Sequence, residues 1–356
     1  MADHMIGWDI GGAHLKAAYL NQEGKVLAVY QEPCPLWQGL DTLEKALTAI
    51  LARLPEQDLK HTITMTGELV DLFADRAQGV YEIIALMQQV LAQPSFAVYA
   101  GQLGFVAADA IEAKHIDAIA SANWLASASY VAQKLEQGLF VDMGSTTTDI
   151  LLLTNHQVNA IGYTDFQRLR SSELVYTGLV RTAVMAVVQS VSFAGTEVGV
   201  MSEYFATMAD VYRLTHELNE SHDQNETADG DAKTEQASAK RLARMIGCDL
   251  HDFTLQEWQE LAYAIREQQL SRVQSACQKQ LQRMPCNVQI PLIGAGIGRF
   301  LVQEIAQSLG LEYIDFETLF TAPVETTEMN IADCAPAVAV AYLAIQAKFW
   351  HPSFSC

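Results

Sequence analysis

An apolar run that stops at an aspartate, turns on glycine and resumes as a second apolar run occurs twice in this chain. The first copy is MIGWDIGGAHLKAAYL, residues 5–20, and the second is LFVDMGSTTTDILLL, residues 139–153. Both read as strand, tight turn, strand. Asp9-Ile-Gly11 and Asp142-Met-Gly144 occupy equivalent places, which points to an internal duplication with one unit in each of two lobes. The length supports this reading. A chain of 356 residues with 50% hydrophobic content exceeds the roughly 250–300 residues at which single cores stop growing.

The rest of the chain falls into the same two-lobe, α/β plan. MIGWDI, LKAAYL and KVLAVYQE form a three-strand meander, followed by a helical pattern over 40–54, short strands in HTITMTGEL and SFAVYA, and helices in YEIIALMQQVLAQ and ANWLASASYVAQKL. We place the N-terminal lobe at residues 1–137 and the C-terminal lobe at 138–334, with a helix over 335–350 rejoining the first lobe. Helical patterns are read at 174–191, 203–213, 239–246 and 255–283, and the strand NVQIPLIGAG leads into a helix from Arg299. Residues 215–240, polar and acidic, cannot bury a core and read as a solvated loop, with a lid over substrate as the alternative.

Charge and cysteine content exclude several classes. With 22 Lys+Arg against 42 Asp+Glu the net charge is −20, which disfavours nucleic acid and anionic membrane as partners. Cysteines 34, 248, 277, 286, 334 and 356 form no C-x-x-C pair and no metal-ligand spacing, so reduced thiols in a cytoplasm are expected. The opening MADHMIGWDI has neither the basic nor the apolar region of a signal peptide, and no apolar run reaches membrane-spanning length. Small-molecule substrates are the expected partners, and homo-oligomer formation is left open.

A phosphate chain needs converging backbone N–H groups with no Cβ in the way, which Gly11, Gly12 and Gly144 provide. Ser145, Thr146 and Thr147 add hydroxyl donors, Lys16 adds a point charge, and Asp9 and Asp142 could hold a hydrated Mg²⁺. Gly294 and Gly296, in IPLIGAGIGRF, form a third turn suited to close approach of a phosphate or planar group. Thr66 and Glu68 end the strand of TMTGEL at its carboxyl edge, where side chains face a ligand crevice. Glu203, Thr207 and Asp210 make a polar stripe at helical spacing, either solvated or able to bind an amine. Arg168 and Arg181, and Arg241 and Arg244, are islands of positive charge suited to an anion or to structural ion pairs.

DIGGAHLK, VDMGSTTTDI and LIGAG resemble the two phosphate motifs and the adenosine motif of the actin, sugar kinase and hydantoinase/oxoprolinase superfamily. The phrases TGEL, SANW, SSELVYTGLVRTAV, EYFATMADVYRLT and AKRLARMIGCD narrow the resemblance to a hydantoinase-like family linked to tetrahydromethanopterin-dependent one-carbon transfer. The chain departs from that family at Ser172, where glycine is usual, and at Ala183, where proline is usual.

The resemblance implies an actin-like ATPase (ribonuclease H-like) fold and a Mg²⁺-dependent synthase of methanofuran biosynthesis. That activity joins an aminomethylfuran-methyl diphosphate to the phenol of γ-glutamyltyramine, or of a tyrosine analogue, and releases diphosphate. Catalytic candidates are Glu68, Lys16, Asp142 and Glu173. Two alternatives are an ATP-dependent kinase or hydantoinase/oxoprolinase-type hydrolase, and a nucleotide-binding scaffold like actin.

Overall fold

The computed structural model describes residues 4–55, 59–93, 95–285, 288–320 and 329–350; Cys286 and Cys356 lie outside them. The first sheet is built from β1 (His4–Ile10), β2 (His14–Leu20), β3 (Val26–Pro33), β4 (Leu59–Met65), β5 (Ala97–Tyr99) and β6 (Phe105–Ala107), in the order β3-β2-β1-β4-β5-β6. The meander β1–β2–β3 is antiparallel and β4 joins β1 in parallel. The second sheet repeats the start with β7 (Gly138–Met143), β8 (Thr148–Thr154) and β9 (Gln157–Val158), and β10 (Leu174–Val175) pairs with β8. A separate hairpin, β11 (Ser190–Phe193) with β12 (Thr196–Gly199), follows. Then β13 (Leu292–Ala295) and β14 (Tyr313–Asp315) complete the order β10-β8-β7-β13-β14.

The helices are α1 (Leu40–Leu51), α2 (Arg76–Leu91), α3 (Ile116–Ile119), α4 (Asn123–Lys134), α5 (Asp165–Ser171), α6 (Val184–Val187), α7 (Met208–Leu214), α8 (Glu235–Met245), α9 (Leu255–Leu281), α10 (Arg299–Leu309) and α11 (Ala335–Gln346). In α1 the spacing of Leu43, Ala46, Leu47 and Ile50 buries one face against the outer side of the first sheet. The capping box of Thr254 and Glu257 starts α9, whose apolar face closes the core of the second lobe.

Helices α4 and α11 lie between the two sheets and share one apolar core with both. Small residues make this layering tight. A Cβ at Gly7 would fall 2.0 Å from Ala337 O and 2.8 Å from Ala341 Cβ, so glycine on β1 and alanine on α11 let the helix sit directly on the strand.

Two readings of the sequence are corrected. The span 174–191 is not one helix: it is β10, the short α6 and the start of β11, because its apolar residues serve two different surfaces. The pattern over 203–213 becomes helical only at Met208, after the N-cap Thr207.

At the two departures from the resembled family the backbone explains the usual residue. Ser172 sits at φ 65°, the left-handed region that favours glycine, and caps α5. Ala183 has φ −65° and ψ 138°, values a proline ring adopts. Its N–H meets no acceptor among the described residues. Ala183→Pro is therefore expected to stabilise the protein by about 0.4–1 kcal/mol, read as a higher urea midpoint at unchanged slope. A lower midpoint would mean that the backbone around Thr182 resists the ring.

Candidate active site

The two acidic turns have the same geometry. Asp9 faces Lys16 across β1–β2, and Asp142 faces Asp149 across β7–β8. Each turn closes with the glycine N–H donating three residues ahead: Gly11 to His14 O at 3.0 Å, and Gly144 to Thr147 O at 2.9 Å. Both turns line one cleft of about 540 Å³ between the sheets, Gly11, Gly12 and Lys16 on one side and Gly144, Ser145, Thr146 and Thr147 on the other.

The floor of the cleft is acidic and nearly dry. Asp9 and Asp142 are 7% and 9% exposed. Burial pushes Asp9 up to about 6, against the pull of Lys16 and a hydrogen bond from Asn123 Nδ2 at 3.3 Å. Asp142 is pushed up to about 7 by burial and by the neighbouring carboxylates of Asp149, Asp9 and Asp333, with Lys16 opposing. The charge of Lys16 only partly offsets the burial of the two carboxylates. Among the described residues no group of three or more His, Cys, Asp or Glu could hold a metal. Two buried carboxylates beside a phosphate cradle do fit Mg²⁺, which is commonly held by one or two carboxylates and by substrate phosphates.

Cations and aromatic rings form the walls. The Arg168 guanidinium lies 4.1 Å over the Trp124 ring and bonds Asp149 through Nη2. Arg181 lies 5.0 Å over Trp37 and donates to Thr146 Oγ1 at 3.3 Å; no described carboxylate pairs with it. Lys16 Nζ donates to Asp333 O at 2.7 Å. Burial raises the Asp333 carboxyl, but the contact with His222 and the charge of Arg299 win and hold it at about 2. His14 faces the same space with Nε2 unpartnered, and burial with the nearby Lys16 and Arg181 charges holds it down at about 3, so it is neutral.

Gly178 supports the second turn from behind. A Cβ there would lie 2.4 Å from Thr146 N and 2.5 Å from Ser145 C, both backbone atoms of the cradle. Gly178→Ala is expected to displace that turn, lowering the melting temperature and weakening binding of added inorganic diphosphate at least about tenfold, roughly 1.4 kcal/mol. Calorimetric titration with inorganic diphosphate measures it.

Sequence and fold comparisons agree with this geometry. The profile of the hydantoinase/oxoprolinase family matches residues 60–338. A protein of Methanocaldococcus jannaschii is 31% identical over 272 residues, covering 74% of this chain and 80% of that protein. The chain belongs to the hydantoinase/oxoprolinase family. That relative is named (4-{4-[2-(gamma-L-glutamylamino)ethyl]phenoxymethyl}furan-2-yl)methanamine synthase. A relative of the same name from Methanococcus vannielii is 32% identical over 131 residues, 36% of this chain and 59% of that protein. Among solved structures, nucleotide-free acetone carboxylase aligns with a TM-score of 0.58 at 10% identity, covering 96% of this chain and 70% of that one. The fold is the actin-like ATPase fold.

Of the residues picked from the sequence of this hydantoinase/oxoprolinase relative, the cleft gathers Asp9, Gly11, Gly12, Lys16, Thr66, Asp142, Gly144 to Thr147, Arg168 and Arg181. Others lie elsewhere. Glu173 is fully buried, its carboxylate accepting from Ile161 N, Gly162 N and Ser171 Oγ, so it holds the loop before α5 and does not reach the cleft. Gly294 and Gly296 do not line the cleft: Cβ atoms there would meet Tyr313 at 2.6 Å and Asp142 Oδ1 at 2.5 Å, so these glycines serve packing.

One residue of the polar stripe, Asp210, pairs with one arginine of the basic island, Arg241. Asp210 Oδ1 accepts from Arg241 Nε and from Ser238 Oγ, both at 2.8 Å, and all three side chains are buried. Thr207 is a buried helix cap, Arg244 is 3.9 Å from Asp229, and Glu203 is exposed outside the cleft. Glu68 stands behind the cleft wall, 1% exposed and pushed up to about 7 by burial. The sequence reading missed His14, Asn123, Trp124, Asp149, Asp165 and Asp333 as cleft residues. His14, Asp149, Asn123 and Trp124 lie within the phrases DIGGAHLK, VDMGSTTTDI and SANW, while Asp165 and Asp333 had no signal.

Proposed function

We propose that this chain is an enzyme that forms an aryl ether in methanofuran-type cofactor biosynthesis, joining an aminomethylfuran-methyl diphosphate to the phenol of γ-glutamyltyramine with release of diphosphate. The name of those relatives describes that product, a phenoxymethyl-furan methanamine carrying a γ-glutamylamino-ethyl group. One observation carries the reading beyond the name: a paired phosphate cradle and an acidic floor share one cleft with aromatic walls, Trp37, Trp124 and Tyr176.

The chemistry follows from these parts. Gly11, Gly12 and Gly144 to Thr147 receive the diphosphate, with Lys16 and Arg181 adding positive charge. Asp9 and Asp142 would hold Mg²⁺, which neutralises charge on the leaving group when bound. The aromatic walls exclude water and hold the furan and phenol rings in register, so that the phenol oxygen reaches the furfuryl carbon as the bond to diphosphate opens. A carboxylate must take the phenol proton, because a phenol of pKa about 10 is a poor nucleophile at neutral pH.

The Gly294–Gly298 turn supports this reading over an ATP site. An adenine would be received there, yet none of Gly294, Gly296 or Gly298 lines the cleft. Purified protein should give the ether and diphosphate, seen by mass spectrometry, only when both organic substrates are present, and EDTA should stop it. ATP hydrolysis at catalytic rates with no use of the furan diphosphate would replace this reading with phosphoryl transfer.

A further inference from the structure

Ser121 stands in the cleft wall at φ 51°, a left-handed conformation that costs a serine on the order of 1–2 kcal/mol. This backbone carries its hydroxyl between two carboxylates. Oγ is 3.0 Å from Glu68 Oε1 and 3.2 Å from Asp165 Oδ2. The two differ in access. Asp165 lines the cleft with Arg76 3.6 Å away, whereas Glu68 does not line it and leaves Oε2 without a hydrogen-bond partner. Glu68 is 1% exposed, and α2 packs on its backbone so closely that a Cβ at Gly79 would lie 2.6 Å from Glu68 O. Ser121 supplies the only side-chain hydrogen bond to Glu68 among the described residues.

We propose that Asp165 accepts the phenol proton and passes it through Ser121 to Glu68, which stores it during turnover. The inference rests on the alkyl-transfer reading above. As the phenol oxygen bonds to the furfuryl carbon, the carbon–oxygen bond to diphosphate breaks and its electron pair leaves with diphosphate. The phenol proton moves to Asp165. It then moves to Ser121 Oγ while the serine's own proton moves to Glu68 Oε1, so Asp165 and Ser121 regain their starting forms and Glu68 becomes the neutral acid. A hydroxyl can do this because it donates one proton and accepts on its lone pairs.

Basicity explains why two carboxylates are used. A carboxylate is much less basic than a phenolate, so a single one draws the phenol proton poorly. Burial raises Glu68 to about 7, which narrows that mismatch. A buried carboxylate with an unpartnered oxygen is costly as mere packing. It is well suited to receiving a proton.

The test compares Asp165→Asn, Glu68→Gln and Ser121→Gly, the last keeping the left-handed backbone while removing the side chain with its hydroxyl. Each is assayed with the ordinary phenol acceptor and with a ring-fluorinated acceptor already ionised at neutral pH. Each variant should lose about 10²–10⁴ in kcat with the ordinary phenol, keep its KM for the furan diphosphate within about threefold, and recover to within about tenfold of wild type with the fluorinated one. Equal losses with both acceptors would make the three residues structural and overturn the relay, as would a wild-type rate in Glu68→Gln. A wild type that forms no ether with either acceptor would instead remove the alkyl-transfer reading, and the relay with it.

Discussion

Asp142→Asn is expected to abolish ether formation and, at pH 8 without divalent cation, to make the protein more stable. Both effects come from one buried charge. In the fold Asp142 is raised from 3.8 to about 7, a difference on the order of 4 kcal/mol against the ionised folded form. An acid raised on folding gives stability that is full below its unfolded value and is lost as pH rises through its folded value. Asp9, at about 6, and Glu68, at about 7, act with the same sign. His14 and His61, lowered to about 3 and about 4, act oppositely, since they lose stability as pH falls below 6.5. The interval from pH 6.5 to 8 therefore isolates the carboxylates: wild type should lose stability as pH rises there, with Asp142 and Glu68 each contributing up to about 1 kcal/mol per unit near pH 6.5, Asp9 less, and the slope fading above pH 7.

In the asparagine variant that slope should shrink, and Mg²⁺ should stabilise wild type but not the variant. A loss of activity of at least about a thousandfold, or 4 kcal/mol of transition-state stabilisation, together with lost Mg²⁺ stabilisation would mark a cation as the reason the charge is kept. Asp9→Asn should behave alike with a smaller change in slope. Calorimetry across this pH range beside a product assay measures both. Near-normal turnover of both variants in saturating Mg²⁺ would end the two-turn account.

The duplicated turns were legible because their geometry is local. A strand ending in aspartate and a glycine three residues before its hydrogen-bond partner are both written within ten residues, and Gly11–His14 and Gly144–Thr147 form as expected. The polar stripe of Glu203, Thr207 and Asp210 was legible only as a stripe. Helical spacing says which residues share a face, not what lies against it, and the partner of Asp210 is Arg241, 31 residues later. Asp165, Asn123 and Asp333 reach the cleft from three separate elements. No spacing links residues that only the packing of α4, α5 and the turn before α11 around the sheets brings together.

The acidic segment is where composition misled most, and it sets the other large expectation. Read as a solvated loop, residues 219–236 should tolerate replacement by a short Gly/Ser linker with little effect. The structure reverses that. His222 and Asp223 are buried, and Asp223 Oδ2 accepts from Arg213 Nη2 at 2.7 Å while Glu220 accepts from the same guanidinium at 2.8 Å. Asp229 accepts from the fully buried Arg241 at 3.0 Å, and Thr234 caps α8. The linker would leave Arg213 and Arg241 sharing Asp210 alone, and leaving a buried charge without its partner costs about 3–5 kcal/mol. Loss of the α8 cap adds about 1 kcal/mol. The segment also reaches the cleft floor and the other lobe, with His222 Nε2 3.5 Å from Asp333 Oδ2 and Gln31 Nε2 donating to Gln224 Oε1 at 3.1 Å. The linker variant should therefore lose at least about 4 kcal/mol in urea unfolding. Its kcat/KM, measured well below the melting temperature, should fall as Asp333 loses His222 and the lobes lose a tie. Asp223→Asn separates the causes, since it removes one buried charge from Arg213 and leaves His222 and Gln224 in place: it should lower stability while sparing kcat/KM. A linker variant as stable as wild type would mean that these ion pairs contribute nothing to the fold.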